Sequence, residues 1–263
     1  MSFLGVRGST RAVALIRIGL ALLLWARWGA DLTPLHAHVR HAGALGAAFW
    51  LFTSAMLVGL RSGLATAGAG LTALALVHVA GVEEYTHHHS YLLAAATCLL
   101  ALAPCGGSFS VDRWLAVRDA RTRGEPPPPE QGDLWAAWLL AAQLSAVYFW
   151  SAVSQLTPAF LSGERLQQTY VALYSPSDCP HFPAFAPLMM ALALAVVALE
   201  LALAFGLWNR RARRWLMPAG LAFHAALYLT VPVLTLSATM VLLYLAFLPD
   251  EVHRAVDALV GTS

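Results

Sequence analysis

Histidines and carboxylates gather in one polar turn of an otherwise apolar chain. The turn reads Glu83-Glu84-Tyr85-Thr86-His87-His88-His89-Ser90. Imidazoles titrate near neutral pH and carboxylates accept protons, so these groups can manage protons beside a ligand. They can also bind a metal, but their spacing matches no closed zinc pattern. We therefore predict a proton-handling or hydrogen-bonding surface with Glu84 and His89 as its active groups, and no metal site.

Four further polar groups interrupt long apolar runs: Arg17, Gln143, Glu200 and His224. Such groups are costly at membrane depth and usually face protein or a cavity. Counted from the inner helix ends at about 1.5 Å per residue, all four lie roughly 9 to 15 Å deep, which predicts one shared layer. The simplest interpretation of Arg17 and Glu200 is that they form a structural ion pair. His224 precedes Tyr228 by one helical turn, so we expect it to be either a core residue or a ligand contact.

The elements that position these groups are apolar runs long enough to be membrane helices. Only 11% of the 263 residues are charged, and the mean hydropathy is +0.65. A water-soluble surface cannot be built from this composition. At roughly 20 residues per crossing, the sequence predicts an all-α polytopic membrane bundle of about eight transmembrane helices. The runs are 12–29, 44–60, 63–81, 90–104, 134–156, 185–208, 214–231 and 233–248.

Arginines set the predicted orientation. With the N-terminus in the cytoplasm, twelve arginines fall on the inner side and only Arg27, Arg40 and Arg165 on the outer side. Cytoplasmic loops carry the excess of positive charge, so this orientation is favoured. The net charge of +2 therefore reports topology and implies no nucleic-acid partner. We expect a multi-pass protein of the inner, cytoplasmic membrane, with the lipid bilayer as its main partner.

Two polar stretches organise the predicted single domain, 1–263. Residues 111–133 contain four consecutive prolines and are predicted to be a cytoplasmic linker between helices in 12–110 and a second half in 134–250. Residues 157–184 form a long outer segment, predicted to be a lid at the membrane interface. The polar residues assigned to this lid are Asp178, Cys179 and His181.

Short motifs along the chain resemble those of a known family. They are His88-His-Ser-Tyr-Leu-Leu93, Ser110-Val-Asp-Arg-Trp114, Val147-Tyr-Phe-Trp-Ser-Ala-Val-Ser-Gln-Leu156, Phe160-Leu-Ser-Gly163, Leu173-Tyr-Ser-Pro176, Phe223-His224 and Phe247-Leu-Pro249. In this order they resemble elements of vitamin K-dependent gamma-carboxylases and of the related bacterial horizontally transferred transmembrane (HTTM) domain proteins. The resemblance spans roughly residues 12 to 250.

The resemblance implies a membrane bundle whose active pocket opens toward the extracytoplasmic side. The family couples oxidation of a reduced naphthoquinone to removal of a proton from a glutamate gamma carbon, which then attacks carbon dioxide. Positions matching His89 and His224 would handle protons and contact the quinone. A reduced, vitamin K-like quinone is therefore the expected cofactor. The ligand-binding residues that we assign to the pocket are Gln143, Tyr148, Gln155 and Tyr228.

The sequence departs from the carboxylases where their base should stand. Ser154 and Gln155 occupy the place of a lysine pair, and the chain contains no lysine. An amide cannot titrate, so Gln155 cannot act as the base. Leu227 replaces an expected polar residue, and the chain ends at Ser263 without the large lumenal domain of the animal enzyme. We therefore expect that glutamate gamma-carboxylation itself is absent, and Glu84 and His89 are the candidate replacement bases.

Two functions fit these observations. The first is a carboxylase-like membrane enzyme that acts on a quinone-like molecule, a secreted peptide or both. The second is a non-catalytic membrane partner that assists maturation of a secreted peptide or gives immunity to one. A transporter is disfavoured because the sequence shows no repeat symmetry.

Overall fold

A computed structural model describes residues 7–32, 42–83, 88–174, 184–230 and 234–260. The side chains of residues 80–89 are not part of this description. The described chain is mostly helical, as the apolar runs predict. The α-helices are α1 (Arg11–Trp28), α2 (Ala42–Val58), α3 (Ser62–Glu83), α4 (His88–Leu100), α5 (Val111–Thr122), α6 (Trp135–Gln155), α7 (Pro158–Leu161), α8 (Glu164–Tyr174), α9 (Phe185–Gly206), α10 (Arg210–Thr230), α11 (Leu234–Leu243) and α12 (Pro249–Val260).

Each of the eight predicted apolar runs contains a helix. Fewer than eight of these helices, however, are long and apolar enough to span a membrane. The candidate spans are Ser62–Val79, Trp135–Gln155 and Phe185–Gly206. The segments Thr235–Phe247 and Pro249–Leu259 pass together, with a bend of 88° between them, so the described chain has three candidate spans or up to four. Two other apolar helices, Gly43–Val58 and Ser90–Leu100, are shorter. The predicted count of eight is not supported.

The chain forms two compact units. Unit 1 contains described residues up to Ala142 and from Phe223 onward, and unit 2 runs from Gln143 to Ala222. This grouping does not follow the predicted division at the linker. In unit 1, α1 packs against α2, α4 and α11, so a helix assigned to the second half belongs with the first four. Burial of apolar side chains on several sides of α1 explains its central position.

A short β-ladder closes one end of unit 1. Strand β1 (Arg7–Ser9) pairs antiparallel with β2 (Gln131–Asp133), with Gly8 opposite Gly132. Arg11 donates to Glu130 at 2.5 Å and to Asp257 of α12 at 2.6 Å. The segment before α1, the end of the predicted linker and α12 therefore meet at one end of this unit.

The predicted linker also contains a helix, which the sequence analysis missed. Ser110 caps α5 by accepting a hydrogen bond from the Arg113 amide at 2.9 Å, and Asp112 lies in the first turn, where a negative charge is favourable. Only the segment after α5, which contains the four prolines, is non-helical. The Arg113 guanidinium donates to the Pro128 carbonyl and so holds this segment against α5.

Unit 2 is built on the apolar helix α9. The predicted lid contains two helices, α7 and α8, and both pack on α9. Thr157 caps α7 and Pro158 occupies its first turn, where the missing N–H costs nothing. Gly163 has a φ of +81°, and a Cβ there would lie 2.4 Å from the Met190 amide nitrogen, so only glycine permits this close turn against α9.

Candidate functional site

A polar cluster lies between α6 and α9 in unit 2. Glu200 is the acidic residue of the otherwise apolar α9 and is only 5% exposed. The Ser151 hydroxyl donates to Glu200 Oε1 at 2.9 Å. The Gln155 amide nitrogen donates to the Ser151 hydroxyl at 3.2 Å and to Glu200 Oε1 at 3.4 Å. One carboxylate oxygen therefore receives two hydrogen bonds from a single face of α6.

The remaining oxygens of this cluster are buried acceptors. Glu200 Oε2 and Gln155 Oε1 are both shielded from solvent, and neither has a hydrogen-bond partner among the residues that the structure describes. Buried acceptors are usually satisfied because leaving them unpaired is costly. The cluster is therefore suited to receive donors from a further group.

The level of Glu200 along α6 differs from the predicted shared layer. Trp208, two residues after the end of α9, donates to the Ser145 hydroxyl of α6 at 2.8 Å, and the Phe149 and Phe205 rings lie 5.9 Å apart. The two helices are thus antiparallel and offset along their axes. Glu200 lies level with Ser151, which is eight residues or about 12 Å beyond Gln143 along α6. Counting from helix ends failed because the helices do not start at one height.

Tyr148 and Gln143 differ in their relation to this cluster. Tyr148 is 1% exposed and precedes Ser151 by about one helical turn, so it belongs to the same face of α6 as Ser151 and Gln155. Gln143 lies about two turns farther from the cluster, and its buried Oε1 has no partner in the described part of the chain. The structure brings the predicted ligand residues Tyr148 and Gln155 together and leaves Gln143 apart.

The buried Arg17 has partners other than the predicted one. It is 0% exposed and donates to four backbone carbonyls, those of Met56, Leu57, Cys105 and Phe109. Two of these carbonyls end α2, where a cation also complements the helix dipole. Glu200 is satisfied on one oxygen by Ser151 and Gln155. These hydrogen bonds are the partners that the structure describes for the two groups, which belong to different units, and the Arg17–Glu200 ion pair stays a prediction.

His224 is buried, whereas its predicted neighbour Tyr228 is not. His224 is 4% exposed and its ring lies 5.3 Å from the Phe223 ring. Tyr228 follows one turn later on α10 and is 51% exposed. Both residues belong to unit 1.

The histidine-rich turn lies at the beginning of α4, and most of it is outside the description. Glu84 falls in an undescribed segment, and the backbone of His89 lies in the first turn of α4 while its side chain is not described. The adjacent Ser90 is buried and accepts a hydrogen bond from Arg27 at 3.0 Å. The sequence analysis counted Arg27 only among the outer arginines and did not predict this contact.

The lid residues Asp178, Cys179 and His181 lie outside the described residues. Next to them, the Tyr170 ring of α8 packs edge-on against Phe185 at 5.4 Å. Within the described ranges, no group of three or more His, Cys, Asp or Glu side chains is placed to hold a metal ion.

One protein family matches most of the chain. Residues 43–251 match the HTTM domain, which covers most of the 263 residues. The chain belongs to the HTTM domain family. This domain is part of the vitamin K-dependent gamma-carboxylase family, so the resemblance seen in the short motifs is confirmed at that level. No curated protein and no solved structure matches the chain.

In this HTTM protein, the Ser110-Val-Asp112 motif has a structural role. Asp112 accepts hydrogen bonds from the Arg61 and Ser62 amides at 2.7 Å each and from the Ser62 hydroxyl at 2.8 Å, which caps the start of α3. Burial alone raises the pKa of Asp112, but these hydrogen bonds outweigh it and hold the pKa below its ordinary value. The motif joins the α2–α3 turn to the start of α5.

Gln155, which the resemblance matches to the carboxylase lysine pair together with Ser154, is a hydrogen-bonded amide in this HTTM protein. Ser154 is exposed and its hydroxyl donates to the Ser151 carbonyl at 2.7 Å. Gln155 faces Glu200. Sequence analysis missed Ser151, although a hydroxyl one turn before Gln155 on the same helix was a readable signal.

Proposed function

We propose that this HTTM protein is a carboxylase-like membrane protein that binds a quinone-like molecule on its extracytoplasmic side and does not carboxylate glutamate. The observation that carries this proposal is the buried cluster of Ser151, Gln155 and Glu200. It concentrates polar groups on an otherwise apolar helix pair, at the place where the resemblance puts the carboxylase base. Apolar pockets with a few convergent polar groups are typical ligand sites.

The residues of the cluster fit a reduced quinone. Such a molecule presents two hydroxyl donors on an apolar ring, and when bound it supplies the electrons and protons of the family's chemistry. Glu200 Oε2 and Gln155 Oε1 are buried acceptors that can receive such donors. We further propose that Tyr148 contacts the ligand, that His89, His224 and Glu84 manage protons, and that Asp178, Cys179 and His181 shape the entrance.

The proposed orientation in the inner membrane has its N-terminus in the cytoplasm and about eight crossings. The β-ladder supports part of this proposal, because it puts residues 7–9 and 131–133 at one end of unit 1. An even number of crossings must then separate them, as four helices between them would provide. The bond from Arg11 to Asp257 adds α12 to the same end. In this orientation the end of α6 that carries Gln155 faces outward.

A second function is favoured by one specific observation. The amide that stands in for the catalytic lysine is already engaged as a donor to Ser151 and Glu200. A protein that lost the base and fixed its replacement in a hydrogen-bond network can serve as a binding partner. The alternative is therefore a non-catalytic membrane partner in the maturation of a secreted peptide or in immunity to it.

Quinone retention tests the first function. The protein is purified in lipid nanodiscs, and extracted quinones are quantified by mass spectrometry. We expect retained quinone in the wild type and at least about a tenfold loss in a Ser151→Ala, Glu200→Gln double variant, since roughly one hydrogen bond to a charged or polar group is worth that factor. A Ser162→Ala, Glu164→Gln double variant, at exposed positions of the same unit, is the matched control. A copurified peptide of unaltered mass, with no quinone, would instead support the second function.

A further inference from the structure

We infer that three exposed arginines at the start of α10 bind the phosphate groups of anionic phospholipids. These residues, which we call the α10 arginine cluster, are Arg210, Arg211 and Arg214. The inference goes beyond the proposed function, because it concerns a surface of unit 2 that contains none of the polar groups between α6 and α9.

A closely packed turn between α9 and α10 positions these arginines. Gly206 ends α9, and a Cβ there would clash with the Leu216 side chain, so α10 packs directly on the end of α9. Asn209 caps α10, because its side-chain oxygen accepts hydrogen bonds from the Arg211 and Ala212 amides at 2.8 and 3.4 Å. This turn therefore fixes where α10 begins.

Arg213 belongs to the same stretch but has a structural role. Its side chain is only 9% exposed, and its Nε donates to the Leu207 carbonyl at 3.0 Å. This carbonyl directly follows α9, where a cation also complements the helix dipole. The α10 arginine cluster is what remains on the surface once Arg213 is used in this way.

The chain supplies no carboxylate next to this cluster in sequence. Residues 201–249 contain no aspartate or glutamate, whereas residues 111–133 contain five carboxylates for their four arginines. In that second stretch Arg123 lies 2.8 Å from Asp119 and 3.0 Å from Glu125, and Arg113 lies 3.7 Å from Glu130. The α10 arginine cluster therefore carries a positive charge that an anion from outside the chain can neutralise.

Exposed aromatic side chains favour a lipid as the source of that anion. The cluster begins four residues after the candidate span Phe185–Gly206 ends. Phe205, Trp208 and Trp215 are all exposed around it, and the Arg214 guanidinium carbon lies 5.5 Å from the centre of the Trp215 ring. Tryptophan favours the depth of the lipid headgroups, and basic residues beside a span attract anionic lipids. An acidic protein would not need this apolar surface beside the charge.

The geometry of guanidinium groups suits a phosphate. Each group presents its N–H donors in a planar fork that can bond two phosphate oxygens at once. Arg210 and Arg214 are four residues apart, so they are neighbours on the surface of α10. One headgroup phosphate can therefore receive donors from both side chains.

The test measures phospholipid binding to the full-length protein. The protein in a neutral detergent is titrated with phosphatidylglycerol or with phosphatidylcholine, and native mass spectrometry quantifies the bound lipid. Each basic residue near an anionic lipid surface changes affinity roughly fivefold. We therefore expect an Arg211→Gln, Arg214→Gln double variant to bind phosphatidylglycerol about 25-fold more weakly, with phosphatidylcholine binding unchanged.

An Arg118→Gln, Arg121→Gln double variant is the matched control. It also removes two exposed arginines three residues apart, one of which lies 5.4 Å from a tryptophan ring, and it lowers the net charge by the same amount. Its phosphatidylglycerol affinity should fall less than about threefold, because carboxylates surround these arginines in sequence. Arg211→Lys with Arg214→Lys keeps both charges and should retain most of the binding. Thermal melting checks folding, and the single variant Arg211→Gln should still show the fivefold loss.

Three outcomes would overturn the inference. Equal losses in the two glutamine double variants would show that total charge sets lipid binding. Equal affinity of the wild type for the two lipids would exclude an anionic headgroup as the ligand and would favour an acidic protein. Displacement of phosphatidylglycerol by excess inorganic phosphate would show that the cluster takes a free anion instead of a lipid.

Discussion

Replacing Arg17 with methionine should destabilise unit 1 by more than any exposed arginine change. The guanidinium is 0% exposed and donates to four backbone carbonyls from two separate segments, the end of α2 and the stretch between α4 and α5. Methionine fills a similar linear volume but provides no donor. The variant therefore removes the hydrogen bonds while keeping most of the packing.

The expected magnitude follows from the number of bonds. Hydrogen bonds inside membrane proteins average about 0.6 kcal/mol, and those to charged groups in water-soluble proteins contribute about 1.5 to 3 kcal/mol. Four bonds near the lower value already amount to roughly 2.4 kcal/mol, so we expect a loss of about 3 kcal/mol for Arg17→Met. Arg17→Lys keeps the charge and three donors, and it should cost about 1 kcal/mol.

The measurement is reversible unfolding by sodium dodecyl sulfate in mixed micelles, followed by tryptophan fluorescence. Arg121→Met, at an exposed position of α5, is the matched control and should change stability by less than about 0.5 kcal/mol. Equal unfolding free energies for the Arg17 and Arg121 variants would refute the conclusion that Arg17 joins these segments.

Three further predictions concern the charge, the topology and the lysine position. Because the folded-state pKa of Asp112 is lowered, its contribution to stability is complete above about pH 4 and is lost as the pH falls through the folded-state pKa. Asp112→Asn should therefore lose less stability than the wild type as the pH is lowered through this range. Identical profiles of unfolding free energy against pH would contradict the capping role. In inverted and right-side-out vesicles, a membrane-impermeant maleimide should label Arg123→Cys and Tyr91→Cys from opposite sides, and labelling from one shared side would disprove the orientation. A lysine at position 155 should form an ion pair with Glu200, and a double-mutant cycle of Gln155→Lys with Glu200→Gln should give an interaction energy of about 2 kcal/mol. If the two changes in unfolding free energy are simply additive, the two positions do not interact.

The helices were largely predictable because their signal is local. The run 12–29 corresponds to α1 (Arg11–Trp28), and the run 185–208 corresponds to α9 (Phe185–Gly206). The helix α5 was also readable, since Ser110 is a favourable cap and Asp112 a favourable first-turn residue. We did not predict it because the four prolines led us to assign all of residues 111–133 to a non-helical linker, although the prolines lie only in the second part of that segment.

The partners of the buried polar groups were not predictable in the same way. Arg17 bonds to carbonyls, which every residue possesses, so no residue type in the sequence identifies them. Glu200 meets Ser151 because α6 and α9 are offset, and an axial offset leaves no trace in either helix sequence. The β-ladder joins two three-residue strands more than 120 residues apart, which is too short a pattern to be recognised locally.

The β-ladder also bears on how the chain reaches its final topology. If α1 to α4 all cross the bilayer, one helix that failed to insert would leave residues 7–9 and 131–133 in different aqueous compartments. Their backbone pairing, and the contacts of Arg11 with Glu130 and Asp257, would then be impossible. On that proposed topology, the β-ladder could form only after all four helices had inserted correctly, so its presence would report correct insertion.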